Sequence, residues 1–534
     1  MFLPASKSTV FSSRVQRRRL TAAALAVALS LQPLWPALAQ APSSAPVAGP
    51  RLMAGGLPGL GDGAELSIAD ERELGDGIAR EIYRDPDYFD DPALMDYLQS
   101  VWRPILAAAN ADGNVPPEFQ ERFAWELMID RNKEVNAFAL PGGYMGVNLG
   151  LLAITETPQE LASVLAHETS HISQRHIARL IARQGSDTPW LIGAMILGIL
   201  AARNNADVAN ATIAGSQALA MQKQLNFSRD MEREADRVGF GVLTDAGFPG
   251  QGFVSMFDKL QQASRLSDDG SFPYLRSHPL TTERMADMRL RISPTQSDHP
   301  TPALSAAAPA LPSTALHVLM ASRARVLAET GPDRWRAWWQ AGRGPKASAG
   351  ERYAAALSAL QLGQHADALA LAQSLREQAA PDTRAAVDEL MLEALLAATG
   401  GAADVRLSGL RDAALSGGSR AGLLLGSRAA LASGQPDLVA SRLSSWVVSH
   451  PRDVLAWQTL ARVQTALGHK MRALRSEAEA RAAIMDDEGA LERFKAAQNL
   501  PLADRQADPI EVAIVDARRR ETEEKIRESA RRKQ

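Results

Sequence analysis

Between Thr157 and His176 the chain reads TPQELASVLAHETSHISQRH, and no other stretch limits the fold so tightly. Thr157 reads as an N-cap, Pro158 as the first helical residue and Glu160 as the third position of a capping box, so the residues after them are helical. On a helix, residues four apart share a face, and His167 and His171 then aim two imidazoles at one point. Glu168, next to the first, is turned far enough to reach a bound water instead. Two histidine ligands, a third ligand from elsewhere, water in an open position and a carboxylate to take its proton are the parts of a zinc peptidase.

The third ligand has to come from another segment, and DMEREAD at 230–236 offers several carboxylates. Glu232 and Asp236 are four apart and share a helix face, whereas Glu234 lies about 200° from Glu232 at 100° per residue. Glu232 is therefore assigned to the metal. Asp236 is placed behind it, accepting the other N–H of a ligand histidine and fixing that ring's tautomer. By itself DMEREAD would read as a solvated acidic helix face; beside HETSH it reads as part of a site. His176, five past His171, falls half a turn off the ligand face and reads as a surface or structural residue.

Composition narrows the chemistry further. Among 534 residues there is no cysteine, so disulfides and thiolate catalysis are excluded and any zinc must be held by His, Asp or Glu. The formal net charge of -3 gives no nucleic-acid footprint. Arg14, Arg17, Arg18 and Arg19 precede an apolar run from Leu20 to Leu31, and Ala37-Leu38-Ala39 follows as a small-residue cleavage site. Residues 1–39 are read as a signal peptide cleaved after Ala39, and the compartment inferred is a bacterial periplasm.

A Pro/Gly/Ala/Ser-rich leader is expected over 40–65, a metallopeptidase domain over 66–292 and a Pro/Ala/Ser/Thr linker over 293–313. Within the second, Leu74, Ile78 and Ile82 carry a helical period, Phe123 to Ile129 alternates as a strand does, and NAFALPGGYMGVNLG reads as two short strands around Pro141-Gly142-Gly143. The 13-residue run Trp190 to Ala202 is apolar all round and too short to span a membrane. It reads as a buried helix, with peripheral contact to lipid or a greasy client as the other reading. Over 314–490 the chain is alanine-rich and helical, with Gly363, Gly401, Gly434 and Gly468 at the turns of successive pairs, close to the ~34-residue tetratricopeptide period. Trp457, Leu460, Ala461, Gly468, Ala473 and Ala480 fit that pattern best. Residues 491–534 are expected to form a charged tail. The expected fold is α+β but mainly helical, a zincin-like domain followed by an all-α tetratricopeptide-type repeat domain.

HETSH at 167–171, EREAD at 232–236, NAFALPGG at 136–143 and SHPLTTER at 277–284 together resemble the zinc metallopeptidase family that contains the CAAX prenyl proteases and the heat-shock membrane protease of bacteria. The export signal and the helical repeats point to its soluble periplasmic branch, and the resemblance runs from about Ser67 to about Asp487. It implies one Zn2+ per chain on His167, His171 and Glu232, Glu168 as general base and Asp236 behind the ligands. It also implies His278 and Arg284 as catalytic residues, with His278 able to close the open zinc position as a latch. Asn136, Ala137, Phe138 and Ala139 correspond to the family's substrate strand, to which an extended peptide adds by main-chain hydrogen bonds. Unfolded or misassembled outer-membrane proteins and the β-barrel assembly machinery are the partners implied. Two rival functions stay open: a chaperone or assembly scaffold working mainly through its repeats, and a lipid-active zinc hydrolase using Trp190 to Ala202.

Overall fold

The computed structural model describes residues 66–183, 228–266, 272–292, 310–400, 402 and 404–532. The expected signal peptide and leader, most of the expected linker, the Trp190 to Ala202 run and Gly401 lie outside the described residues. No helix among the described residues is long and apolar enough to cross a membrane.

The first elements are α1 (Ile68–Arg84), α2 (Pro92–Ala111) and α3 (Pro117–Arg122). Side-chain caps start the two long ones: Ser67 accepts from the Asp70 N–H, and Asp91 from the Leu94 N–H with Pro92 behind it. A three-stranded sheet follows, β1 (Glu126–Asp130), β2 (Ala137–Leu140) and β3 (Tyr144–Asn148), in the order β1-β3-β2. β3 is central, parallel to β1 and antiparallel to β2, with Phe138 opposite Gly146. The expected hairpin around Pro141-Gly142-Gly143 is present, and Gly142 and Gly143 take φ of 72° and 87° there, a region that favours glycine.

β1 differs from expectation. It begins at Glu126, after Trp125 at φ 46°, and its three central residues are all buried. The cause is a sheet covered on both faces. Leu127, Ile129, Ala137, Ala139, Met145 and Val147 face the main core, while Met128, Leu140 and Tyr144 face a second cluster with Leu74 and Ile78 of α1. A doubly covered strand does not show the apolar/polar alternation of a half-exposed one.

α4 (Leu149–Ile154) leads into α5 (Pro158–Ser173), which carries HETSH, and α6 (His176–Arg183) comes next. Thr157 caps α5 as expected, but the capping box is only half formed: Glu160 accepts from the Glu156 N–H and pairs with Lys259 at 2.9 Å. α7 (Arg229–Asp245), α8 (Gln251–Leu266), α9 (Pro273–Ser277) and α10 (Thr282–Arg291) complete this part.

From Thr314 to Arg532 the chain is all helical among the described residues. Gly363, Gly434 and Gly468 close helices at φ of 71°, 67° and 79°, and each is followed by an N–H that reaches back five residues, as Gln364 does to Ala359. At the fourth turn it is Gly400, φ 60°, that has the left-handed conformation. The expected charged tail is instead packed structure. Asp487–Gln498 and Pro509–Arg532 are helices that share a buried cluster of Phe494, Ala497 and Val515, and Arg518 grips Glu479 with two bonds of 2.8 and 2.7 Å. Its charges read as a solvated tail because the apolar positions that anchor it are few.

Candidate active site

α5 and α7 cross closely because Gly239 has no side chain: a Cβ there would sit 3.2 Å from the backbone of Ala166 and His167. That approach sets the first turn of α7 against the middle of α5. The Nε2 atoms of His167 and His171 are 2.9 Å apart, and Glu232 places Oε2 3.5 Å from the first and Oε1 3.5 Å from the second. His278, just past α9, puts Nδ1 3.0 Å from Glu232 and Nε2 3.5 Å from Glu168. Ligand atoms of His167, His171, Glu232 and His278 all lie within 4.8 Å of one another, and all four residues are buried. Donors about 2.0–2.1 Å from a tetrahedral cation sit about 3.3 Å apart, so this nitrogen and oxygen set fits one divalent ion.

Charge and burial oppose each other at His167 and Glu232. Burial pulls His167 down, but the Asp236 and Glu232 carboxylates facing its ring nitrogens outweigh it and raise it to about 9. His171 is held well below the ordinary imidazole value, first by burial and then by His167 beside it. Glu232 stays well below the carboxylate range despite burial, because His278 and His167 face it. Burial pushes Glu168 up.

The structure brings Glu168, Asp236 and Arg284 to the same place. Asp236 Oδ1 is 3.0 Å from His167 Nδ1, and Arg284 grips Asp236 with Nε and Nη2 at 2.6 and 2.7 Å. The resemblance implies a catalytic Arg284. Its donors go instead to Asp236, to Glu232 at 2.7 Å and to the Pro279 carbonyl, so it touches carboxylates that hold the site. The expected substrate strand is indeed an outer strand of the sheet, and it runs beside α5. Asn136, Ala137 and Ala139 are buried and Phe138 is half-buried, and the Ala139 N–H donates to Glu168 Oε2 at 2.9 Å.

His176 is not at the surface. α5 ends at Ser173, Arg175 takes φ 52°, and the chain turns so that His176 comes back with Nδ1 2.8 Å from His171 Nδ1. Burial pulls it down to about 4. Helical spacing misses it because the spacing stops applying where the helix ends. Tyr274, which stacks on His278 with ring centroids 4.6 Å apart, carries no sequence signal either.

Residues 95–292 match the model of peptidase family M48. The chain carries a peptidase family M48 domain. It is 35% identical over 241 residues to the putative β-barrel assembly-enhancing protease of Vibrio cholerae, 44% of this chain and 47% of that one. It is 32% identical over 237 residues to the β-barrel assembly-enhancing protease of Escherichia coli, with the same coverage. A match to mitochondrial metalloendopeptidase OMA1 of Arabidopsis thaliana, 32% identical over 164 residues, covers 31% of each chain. The chain thus spans about half the length of the bacterial relatives it matches. Within the M48 domain, His167, His171 and Glu232 stand together as a HExxH-plus-Glu zinc site requires.

Proposed function

We propose that this chain is a zinc-dependent endopeptidase of the periplasm that degrades misfolded or stalled outer-membrane proteins and assists β-barrel assembly. The observation that carries the chemistry is the convergence of His167, His171 and Glu232 beside Glu168, in a buried pocket with a fourth donor at hand. His167, His171 and Glu232 would hold one Zn2+, which polarises a scissile carbonyl and makes water acidic at neutral pH. Glu168 takes the proton of the attacking water and returns it to the leaving amine; the burial that raises its affinity for protons suits it to that work. Asp236 keeps the proton of His167 on Nδ1 so that Nε2 is free to coordinate, and Arg284 positions Asp236 and Glu232 rather than touching substrate.

A client chain is read as adding to the outer edge of β2, at residues 136–140, which gives cleavage loose side-chain preference. The helical pairs after Thr314, read as tetratricopeptide-like, supply the docking surface. Export by residues 1–39 puts the enzyme where such clients pass, and the names borne by the Vibrio cholerae and Escherichia coli relatives support a role in β-barrel assembly.

The purified full-length chain should bind one zinc and cleave an unfolded outer-membrane barrel protein, and chelator should stop it. Glu168→Gln should lower turnover by at least about 100-fold with zinc content unchanged. A wild-type protein that takes up no zinc, or a Glu168→Gln variant of normal activity, would refute this reading.

A further inference from the structure

His171 needs Nε2 for the metal, since that is the atom facing His167 Nε2 and Glu232. Its one ring proton must then be on Nδ1. The atom facing that proton at 2.8 Å is the Nδ1 of His176, which can accept only if His176 carries its own proton on Nε2. That nitrogen is 3.2 Å from Glu234 Oε2, and the same oxygen takes a 2.9 Å bond from Arg179. One assignment of protons satisfies the row: His171 Nδ1–H to His176 Nδ1, His176 Nε2–H to Glu234, and Arg179 to Glu234. Reversing either imidazole sets two N–H groups or two lone pairs against each other.

We propose that His176 is a positioning residue for the metal site, an imidazole that fixes the tautomer and ring angle of His171, with Glu234 and Arg179 fixing His176 in turn. Its chemical partner is thus the cation itself, reached through His171. The arrangement is parallel to that behind His167, where Asp236 Oδ1 stands 3.0 Å from Nδ1 and Arg284 holds Asp236. Glu232, Glu234 and Asp236 all lie on α7, which serves the ion on one face and the second row on the other. Glu234, turned away from the ion, thereby gains a use. A ring held at one angle loses no rotational freedom when the ion arrives, and outer partners of this kind change metal affinity by about 10–100-fold.

This inference rests on the zinc reading above, and its test separates the two. Zinc affinity of the full chain is measured by competition with a fluorescent chelator, and thermal unfolding of the metal-stripped protein is recorded alongside. His176→Leu removes the acceptor and should weaken zinc about 10–100-fold. His176→Asn can set a carbonyl oxygen near the place of Nδ1 and should recover a good part of that loss. Glu234→Ala, at a partly exposed position where misfolding is no concern, should weaken zinc about 3–10-fold, a fraction of the outer-partner effect. If wild type binds zinc and the three variants bind it equally well, the positioning role is wrong while the zinc site stands. The positioning role is equally overturned if Leu and Asn weaken zinc equally and lower the melting temperature of the stripped protein equally, since that is the mark of a packing role. If wild type binds none, both fall.

Discussion

Around the two coordinating nitrogens of α5 the residues compete for the same few ångströms. His278 has the most divided position: its Nδ1 is 3.0 Å from Glu232 and 3.4 Å from His167 Nε2, while its ring is stacked on Tyr274 and its backbone N–H is tied to the Tyr274 carbonyl at 2.8 Å. A ring held there stands where a fourth ligand or the attacking water would be. If it is a latch, as the family resemblance implies, His278→Ala should raise the initial rate of proteolysis several-fold. If its work is to donate to the developing oxyanion, the same change should cost about 100-fold or more. Rates on an unfolded client under zinc saturation give opposite signs, and an unchanged or lower rate rules out the latch.

The elements meet through positions that carry no chemistry. Gly239 lets α7 lie on α5, and every carboxylate behind the histidines depends on that contact. Gly239→Leu should force the helices apart, costing about 1–3 kcal/mol and lowering zinc stoichiometry. Gly241 has nothing within 4 Å of an added Cβ, so Gly241→Leu should leave both nearly unchanged. Urea unfolding and metal analysis of the pair check this, and equal effects would mean the close crossing is unimportant. The same scale explains what is legible in the sequence. Thr157 and Pro158 start α5 as their residue types dictate, whereas the second half of the capping box fails because Lys259, about a hundred residues on, draws Glu160 away.

Across the whole molecule, the peptidase part and the C-terminal helices are joined by buried and half-buried ion pairs. Arg323 binds Asp91 and Glu393, Arg420 binds Asp90 and Asp453, and the Asp96 carboxylate takes the Ala421 N–H. Acids outnumber the arginines here. Burial pushes Glu389 up to about 8 and Asp96 up to about 6. A carboxyl whose folded value exceeds its unfolded one contributes stability fully below the unfolded value, near 4, and loses it as pH rises through the folded value. Stability should therefore fall between pH 5 and pH 8.5. Glu389→Gln, which keeps an acceptor for Ser419, should match wild type at pH 5 and exceed it by roughly 1–3 kcal/mol at pH 8.5. Urea denaturation at the two pH values measures it; a difference independent of pH would contradict the assignment.

What the sequence determined alone was how residues within one helix are turned relative to each other. The four-residue step pairs His167 with His171 and Glu232 with Asp236 and turns Glu234 away, because backbone geometry fixes those angles before any packing occurs. Only the tertiary structure decided that His176 returns to His171 after the break at Arg175, that Arg284 serves carboxylates, that Glu168 holds the Ala139 N–H, and that the last charged helix is packed. Each of these depends on where two distant segments approach, and that distance is set by the volume and shape of side chains packed between them, which no spacing along the chain records.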